Sequence, residues 1–582
     1  MPDASGSTIT LKRALDVFLQ YLVAEGAHVV FGVPGGLLHP FFEGVERHPQ
    51  LRLVVTKHEE GAAFMADGYA RTTRKLAVCA GTAGPGATNL LTGVSCAFAD
   101  GVPMLVITGQ VPSHAIGRGA AQETAATDMD IVAMFKPVTK YSAAVESPER
   151  LAQHLRRALR LALTGRPGPV HLNVPVDFWS KPADEIWFDP KTYRPTTHLF
   201  DRAAVAAAAE QLLRAKKPTL LVGSGVVTSG AEEHVQTLAE LLQARVATSP
   251  RAKGALAEDH PLSMGVLGFA GHKEARKTML GTDVDLLFTI GASLNETTTF
   301  NWNPSLRNGK TLIQLDIDAD RIGRSYPVDV ALVGDAQTIL VELVYHIHRA
   351  IREGATPASV WPSEPALERG HERYDQPALR TSDAIPLTPQ RWRSDLQEAL
   401  PEDATIFSDI GGHMLFNIHE LCIKKGQRFV INLGFGSMGH GTCAPIGAAL
   451  ASKRPVVSII GDGCFTMNGM ELLTAAEYGV PVVWIVENNQ MHGITWHGSK
   501  LVSGGKPMEA IRYKRSIEIA AIARAMGLPA WVVDHPGQMQ DVLREALRMG
   551  APALIEVRVD GSISPPLGDR AKTVAGFKGH ET

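Results

Sequence analysis

The sequence predicts an α/β protein of three consecutive doubly wound, mainly parallel-sheet domains. Three observations carry that expectation. Short β-rich runs alternate with helical segments along the chain, the pattern of strand–helix–strand crossovers in a parallel sheet. The chain has 582 residues, far more than one hydrophobic core organises. The alternation breaks at a Pro-rich, charged stretch, 353–388, which reads as a linker.

The first domain, 1–190, opens with a helix in "TLKRALDVFLQYLVAEGA", a strand "HVVFGV" and a turn "PGG". The strand "LRLVVTKHE" (51–59) leads into a small-residue helix, "GAAFMADGYART". Strand "LAVCAGT", a Gly-rich turn, a further helix and strand "PMLVITG" follow, and "GPVHLNVPVD" (168–177) is the last strand. The second domain, 191–352, repeats the pattern with helix "AAVAAAAEQLLRA", strand "PTLLVGSG", helix "EEHVQTLAELLQA" and strands "DLLFTIG" and "TLIQLDID". The third, 389–582, alternates strand "RFVINLG", helix "TCAPIGAALAS", strand "PVVSIIGDG", helix "NGMELLTAAEYG" and strand "PVVWIVENN".

Bulk composition narrows the function. Apolar and charged fractions of 45% and 20% are those of a soluble globular protein. A net charge of −3 gives no field that would draw nucleic acid or an anionic membrane. The N-terminus lacks the apolar core of a signal peptide, and no apolar run is long enough to span a bilayer. Five cysteines, with no CxxC pair, argue against a disulfide framework or structural zinc and fit a reducing cytoplasm.

The strongest signal is "GDGCFTMNGMELLTAAEYGVPVVWIVENNQ". Gly461-Asp462-Gly463 follows one strand and Glu487-Asn488-Asn489 follows the next, so both ends emerge at the carboxyl edge of a parallel sheet, where such sheets bind ligands. Asp462 supplies a carboxylate, Asn489 a carboxamide oxygen and Met491 a backbone carbonyl, an all-oxygen set that suits magnesium. Gly461 and Gly463 admit close approach of a phosphate, and the helix that follows offers free N–H groups. This resembles the thiamine-diphosphate-binding motif, GDG followed some two dozen residues later by NN.

"KHEEGAAFMADGYAR" resembles the family's "RHE-x-GAA-x-x-A-x-GYAR". Such enzymes need a carboxyl group on the far pyrimidine nitrogen of the cofactor, and the resemblance gives that place to Glu59. Glu60 falls at a variable position and reads as a helix-start acid. If both belonged to the strand, alternation would send the two to opposite faces. "NLGFGSMGHG" (432–441) resembles "GLGTMGFG", which implies that Met438 wedges the cofactor into its bent shape and that Gly436 and Met438 bond the pyrimidine through their backbone. "SDIGGH" (408–413) resembles "TDVGQH", which implies diphosphate contacts from Ile410, Gly411 and His413, with Gly412 in place of the usual Gln. Cys464 and Gly493 complete the implied cofactor lining.

"FGVPGG", "GTAGPGATN", "VPMLVITGQV", "GRPGPVHLNVPVD", "HPLSMGVLG" and "LIQLDID" extend the resemblance over nearly the whole chain, to the acetolactate synthase (acetohydroxyacid synthase) and pyruvate oxidase group. The domains then become pyrimidine-binding, central and diphosphate-binding. The resemblance implies a carboligase that decarboxylates a 2-oxo acid such as pyruvate and passes the acyl carbanion to an acceptor. Simple decarboxylase, flavin oxidase and C–C hydrolase outcomes stay open, as does, least of all, a non-catalytic regulator. It also implies a homodimer as the minimum active unit, a homotetramer as a common assembly, and Glu59 serving cofactor held by a partner subunit. Gly35, Gln110, Gln122 and Lys140 match active-site-lining positions, Gln110 as a hydrogen-bond donor or as a strand-end polar residue.

Departures concern substrate and flavin. After NN the group reads "QHLGMVMQW", whereas this chain reads "NNQMHGITWHGSK": Gly498 holds the Trp position and Trp496 lies two places earlier. His492 and His497 are either proton donors or substrate contacts near the pocket mouth, or solvated loop residues. "TAATDMD" (124–130) is longer than its counterpart. The group's flavin segments "GMHG" and "RFDDR" are replaced by "GFAGHKEA" (268–275) and "SLNETTTFNW" (293–302), and the lone "GSG" at 223–225 is too short a signal for a dinucleotide site. The balance leans slightly against bound FAD and leaves it open.

Overall fold

The computed structural model describes residues 12–568 apart from 127–128, 184–186, 196–198, 363–364 and 366–372, so part of the "TAATDMD" loop lies outside the described residues. The chain divides into two compact units: Met1–Thr197 with Gly434–Lys453 and Met470–Val480, and His198–Leu433 with Arg454–Gly469 and Pro481–Thr582.

The first unit holds a six-stranded sheet of β1 (Val29–Val33), β2 (Arg52–Val55), β3 (Ala77–Gly81), β4 (Met104–Gln110), β5 (Ser142–Ala144) and β6 (Pro169–Pro175). Its order is β2-β1-β3-β4-β6-β5, with every pairing parallel. Strands β3, β4 and β6 are buried throughout, which is why they read as continuous apolar runs. The edge strand β5, "SAA", carries no such run and no sequence signal.

The second unit holds two sheets. One contains β7 (Pro218–Val222), β8 (Arg245–Thr248), β9 (Ser263–Val266), β10 (Leu286–Ile290), β11 (Thr311–Asp316) and β12 (Val330–Val333), in the order β12-β11-β10-β7-β8-β9. Read from its other edge this is the doubly wound order of dinucleotide-binding sheets. The other contains β13 (Thr405–Ser408), β14 (Arg428–Ile431), β15 (Val456–Gly461), β16 (Val482–Asn488), β17 (Ala530–Val533) and β18 (Ala553–Arg558), ordered β14-β13-β15-β16-β18-β17. Counted from its own first strand, that is the order of the sheet in the first unit. All its pairings are parallel.

One expected element is corrected. The strand expected over 51–59 ends at Val55, and Glu59 opens the helix Glu59–Thr73. His58 is the cause: it caps the helix, its Nδ1 accepting the Glu60 N–H at 3.2 Å. Both glutamates therefore sit in the first helical turn, about 100° apart around its axis. Strand alternation does not separate them.

Part of the stretch 353–388 is described. There Arg373 is buried and ion-paired with Glu258, and Arg380 bonds Glu420 at 2.7 Å. In the first unit the helix Glu59–Thr73 packs against the helix His440–Ala451 at backbone distance. A Cβ on Gly68 would lie 2.0 Å from the Ala444 carbonyl oxygen, and one on Gly447 only 1.8 Å from that of Met65. Among the described residues no helix is long and apolar enough to cross a membrane.

Candidate active site

In the first unit, strand order reverses between β1 and β3, which opens a crevice at their carboxyl ends. Gly35, after β1, lies so close to Thr82, after β3, that a Cβ would fall 2.5 Å from that of Thr82. The Glu59 carboxylate reaches the same place. It is 8% exposed, lies 3.3 Å from the Cβ position of Gly86, and accepts a hydrogen bond from Asn89 Nδ2 at 2.9 Å. Glu60 is half-buried. Sequence reasoning missed Asn89, although it closes the quoted run "GTAGPGATN".

A second missed residue, Glu471, fixes the start of the Glu59 helix. Its carboxylate accepts the backbone N–H groups of Lys57 (3.1 Å) and His58 (2.9 Å) and the Thr474 hydroxyl (2.7 Å). Burial raises its pKa, against the pull of those donors. Its only sequence signal is its place inside the GDG–NN block.

The remaining first-unit candidates separate. The Gln110 carbonyl oxygen accepts from the N–H groups of Val111 and Thr124, and its amide donates to Asn173, so this residue pins the chain at 124 to the end of β4. Gln122 is exposed, adopts φ 62° and lies against Gly84. Lys140 donates to the Thr164 and Arg166 carbonyls, and its backbone bonds Pro169 at the start of β6. It therefore belongs to the amino edge of the sheet, opposite Gly35 and Glu59. Gly436 and Met438 lie in the loop before the helix His440–Ala451, both half-buried.

In the second unit the order of the third sheet reverses between β13 and β15, and the expected diphosphate residues gather at that edge. Asp462 begins a helix directly after β15. Its carboxylate accepts the N–H groups of Gly463 (2.7 Å), Asn489 (3.1 Å) and Gln490 (2.7 Å), joining GDG to NN. Burial, opposed by those three donors, pushes the Asp462 carboxyl up to about 7. A cation would reverse that shift. Asn489 Oδ1 accepts the Met491 N–H at 3.1 Å. Between them Gln490 takes φ 58°, a strained conformation for a non-glycine residue of the kind that concentrates at binding sites. Gly493 stands against the Asn489 amide: a Cβ there would fall 2.8 Å from its nitrogen and would displace that side chain.

His413 faces the same edge, its ring 2.9 Å from the Cβ position of Gly461. Burial, reinforced by Arg393, lowers its pKa to about 3, and its Nε2 is buried without a protein partner. Cys464 Sγ lies 3.4 Å from the Ile410 carbonyl, beside Gly411. Behind them Arg393, a third residue missed, donates to Glu487 (2.7 Å), Asn417 (2.8 Å) and the His413 carbonyl (3.1 Å). A neutral imidazole with an unpartnered Nε2 and a buried carboxylate with no cationic partner among the described residues fit a diphosphate and a hard cation. Among the described residues no cluster of three His, Cys, Asp or Glu offers a metal an alternative.

His497 is no solvated loop residue: it is buried on the helix Gly493–Val502 and donates from Nε2 to the Gly561 carbonyl at 3.1 Å. His492 is half-buried, edge-on to Tyr513. Trp496 is buried beneath Lys500, whose Nζ lies 3.6 Å from the ring centre. The segments 268–275 and 293–302 line a cavity of about 160 Å³, with Pro566 and Leu567 on its wall and Arg276 over Phe300.

Comparison with known proteins agrees with this layout. Models of the thiamine pyrophosphate enzyme N-terminal TPP binding domain, central domain and C-terminal TPP binding domain match residues 12–134, 205–343 and 409–557. The chain is 32% identical to acetolactate synthase isozyme 1 large subunit of Escherichia coli, over 96% of each chain. It is 32% identical to the acetolactate synthase of Arthrospira platensis, over 94% of this chain and 95% of that one. An X-ray structure from Mycobacterium smegmatis, assigned as a thiamin diphosphate-dependent enzyme, superposes with a TM-score of 0.80 at 26% identity, over 94% of this chain and 99% of the other. With each of its three domains matched in order and its relatives aligned nearly end to end, the chain belongs to the thiamine pyrophosphate enzyme family.

Proposed function

We propose that the protein is a thiamine-diphosphate- and magnesium-dependent carboligase that decarboxylates a 2-oxo acid such as pyruvate and joins the acyl fragment to an acceptor carbonyl. The observation that carries this reading is the nearly full-length similarity to acetolactate synthases. Bound thiamine diphosphate supplies the electron sink for decarboxylation. Glu59, steadied by Asn89, would hold a proton at its carboxyl for the cofactor's pyrimidine ring. Met438 and the backbone of Gly436 hold that ring, and Gly35 lets it approach. Asp462, Asn489 and the Met491 carbonyl hold magnesium. Ile410, Gly411, His413, Gly461, Gly463, Cys464 and Gly493 cradle the diphosphate, with His413 donating as a neutral imidazole. Gln110 orders the loop over the substrate.

The same reading assigns 1–190 to pyrimidine binding, 191–352 to the central domain, 353–388 to a linker and 389–582 to diphosphate binding. It also assigns a homodimer at minimum, a homotetramer as the working assembly, and a cytoplasmic site of action. Flavin is not required by it. The replacement of the group's flavin segments by 268–275 and 293–302 is the ground for this, and an absorbance scan for flavin bands checks it. The decisive experiment supplies purified protein with thiamine diphosphate, magnesium and pyruvate. Carbon dioxide and a 2-hydroxy-3-oxo acid, identified by mass spectrometry, are expected. Carbon dioxide with aldehyde alone would move the protein to the simple decarboxylases, and no carbon dioxide from any 2-oxo acid would refute the reading.

A further inference from the structure

The loop Gly434–His440 carries Gly436 and Met438; one of its ends is bonded to a buried charge network and the other packs against it. At the far end His440 Nε2 lies 2.6 Å from Asp67 Oδ1, with both side chains fully buried. Asp67 stands eight residues beyond Glu59 on the same helix, about two turns along it. Arg71 bonds Asp67 through Nε at 2.5 Å and Asp100 through Nη2 at 2.7 Å. At the near end, Gly434 comes so close to Asp100 that a Cβ would fall 2.0 Å from its Oδ1. The bonded order is therefore His440–Asp67–Arg71–Asp100, and Gly434 packs against the Asp100 carboxylate, so the network touches both stems of the loop across the helix that bears Glu59. Burial would raise the Asp67 carboxyl, yet Arg71 and His440 hold it well below the usual carboxylate range.

This chain leaves the family pattern at Ser437 and, with a change of chemistry, at His440, since "GSMGHG" stands where the motif reads "GTMGFG". An aromatic ring of either kind fills the space beside Phe64, whose ring lies edge-on to His440 at 5.6 Å. Only the imidazole reaches the Asp67 carboxylate. A bond of this type, buried and to a charged partner, resists breakage because losing one member strands the other charge.

We propose that His440 is a positioning residue: through Asp67, Arg71 and Asp100 it sets the Gly436–Met438 loop against the Glu59 helix, and so the shape of the seat for the thiamine pyrimidine. The statement about the seat rests on the proposed function; the statement about the loop does not. Gln in place of His puts an amide nitrogen where Nε2 stood, whereas Asn is too short and Phe has no donor.

Two readouts on the full chain test it, and neither requires turnover. Hydrogen exchange of the amides in 435–439, without cofactor, is expected to speed up at least tenfold in His440→Asn and His440→Phe and to stay within threefold in His440→Gln. Thiamine diphosphate affinity in magnesium, read by calorimetry, is expected to fall at least tenfold in the first two variants and to be retained in His440→Gln. Unchanged exchange in His440→Asn and His440→Phe, or equal loss in all three, would overturn the clamp. Faster exchange with unchanged affinity would overturn its role in the cofactor seat. A parent protein that binds no thiamine diphosphate while the exchange pattern holds would overturn the proposed function and the seat, and leave the clamp standing.

Discussion

Glu471 accepts two backbone N–H groups just ahead of the helix that Glu59 begins, and a Cβ on Gly61 would collide with it at 2.2 Å. A single side chain from a distant segment thus fixes where the candidate catalytic helix starts. Glu471→Ala strands those two donors, at a cost of about 1–3 kcal/mol each where they stay dry. The expected outcome is a melting temperature lowered by several degrees and kcat reduced more than tenfold, with Glu471→Gln closer to the parent; equal kcat in parent and Glu471→Ala would contradict it. The places of Asp462, Asn489 and Glu59 near the ends of their strands were legible because a motif ties these residues to fixed spacings. Asn89, Glu471 and Arg393 were not, because their work is to hold other residues across hundreds of positions of sequence, and no local pattern records such a contact.

Strands β3, β4, β15 and β16 announce themselves as buried apolar runs, whereas β5, β8, β9 and β12 are three or four residues long and pass as loop. The misplaced end of β2 has a different cause. "TKHE" holds no Gly or Pro to mark a strand end, but the His58 cap and Glu471 stop the strand at Val55. The contact of the helices Glu59–Thr73 and His440–Ala451 was invisible for a third reason: glycine spacing shows in the sequence, but the carbonyl it must meet does not. Gly447→Ala drives a methyl into the Met65 carbonyl, and separating the helices is expected to cost about 3 kcal/mol. Thermal unfolding checks this. An unshifted melting temperature would mean that the two helices do not pack at backbone distance.

For the whole molecule, buried histidines, among them His171, His272, His413 and His497, link stability to pH. Burial lowers His171 and His413 to about 3 and His272 well below its ordinary value. Unfolded, each takes a proton near pH 6.5, so below that pH the unfolded chain binds more protons and stability falls as pH falls. Burial raises Asp462 and Glu471, which act in the opposite sense and offset part of the effect. A variant isolates one group. The destabilisation caused by His171→Gln should shrink between pH 7 and pH 5, approaching about 1.4 kcal/mol per pH unit. Denaturant unfolding of the cofactor-free protein reads it, and a constant difference would contradict the assignment. The three-sheet plan was legible in the alternation of strands and helices, but the transfer of 434–453 and 470–480 to the first unit was not, since it depends on packing between segments far apart in sequence. The central claim is that this chain runs thiamine chemistry with Glu59 as its acid. The direct test is carbon dioxide release from pyruvate by the holoenzyme carrying Glu59→Gln, beside Glu60→Gln. Turnover lost in the first with cofactor still bound, and nearly unchanged in the second, is the predicted result; an active Glu59→Gln beside a dead Glu60→Gln would contradict it.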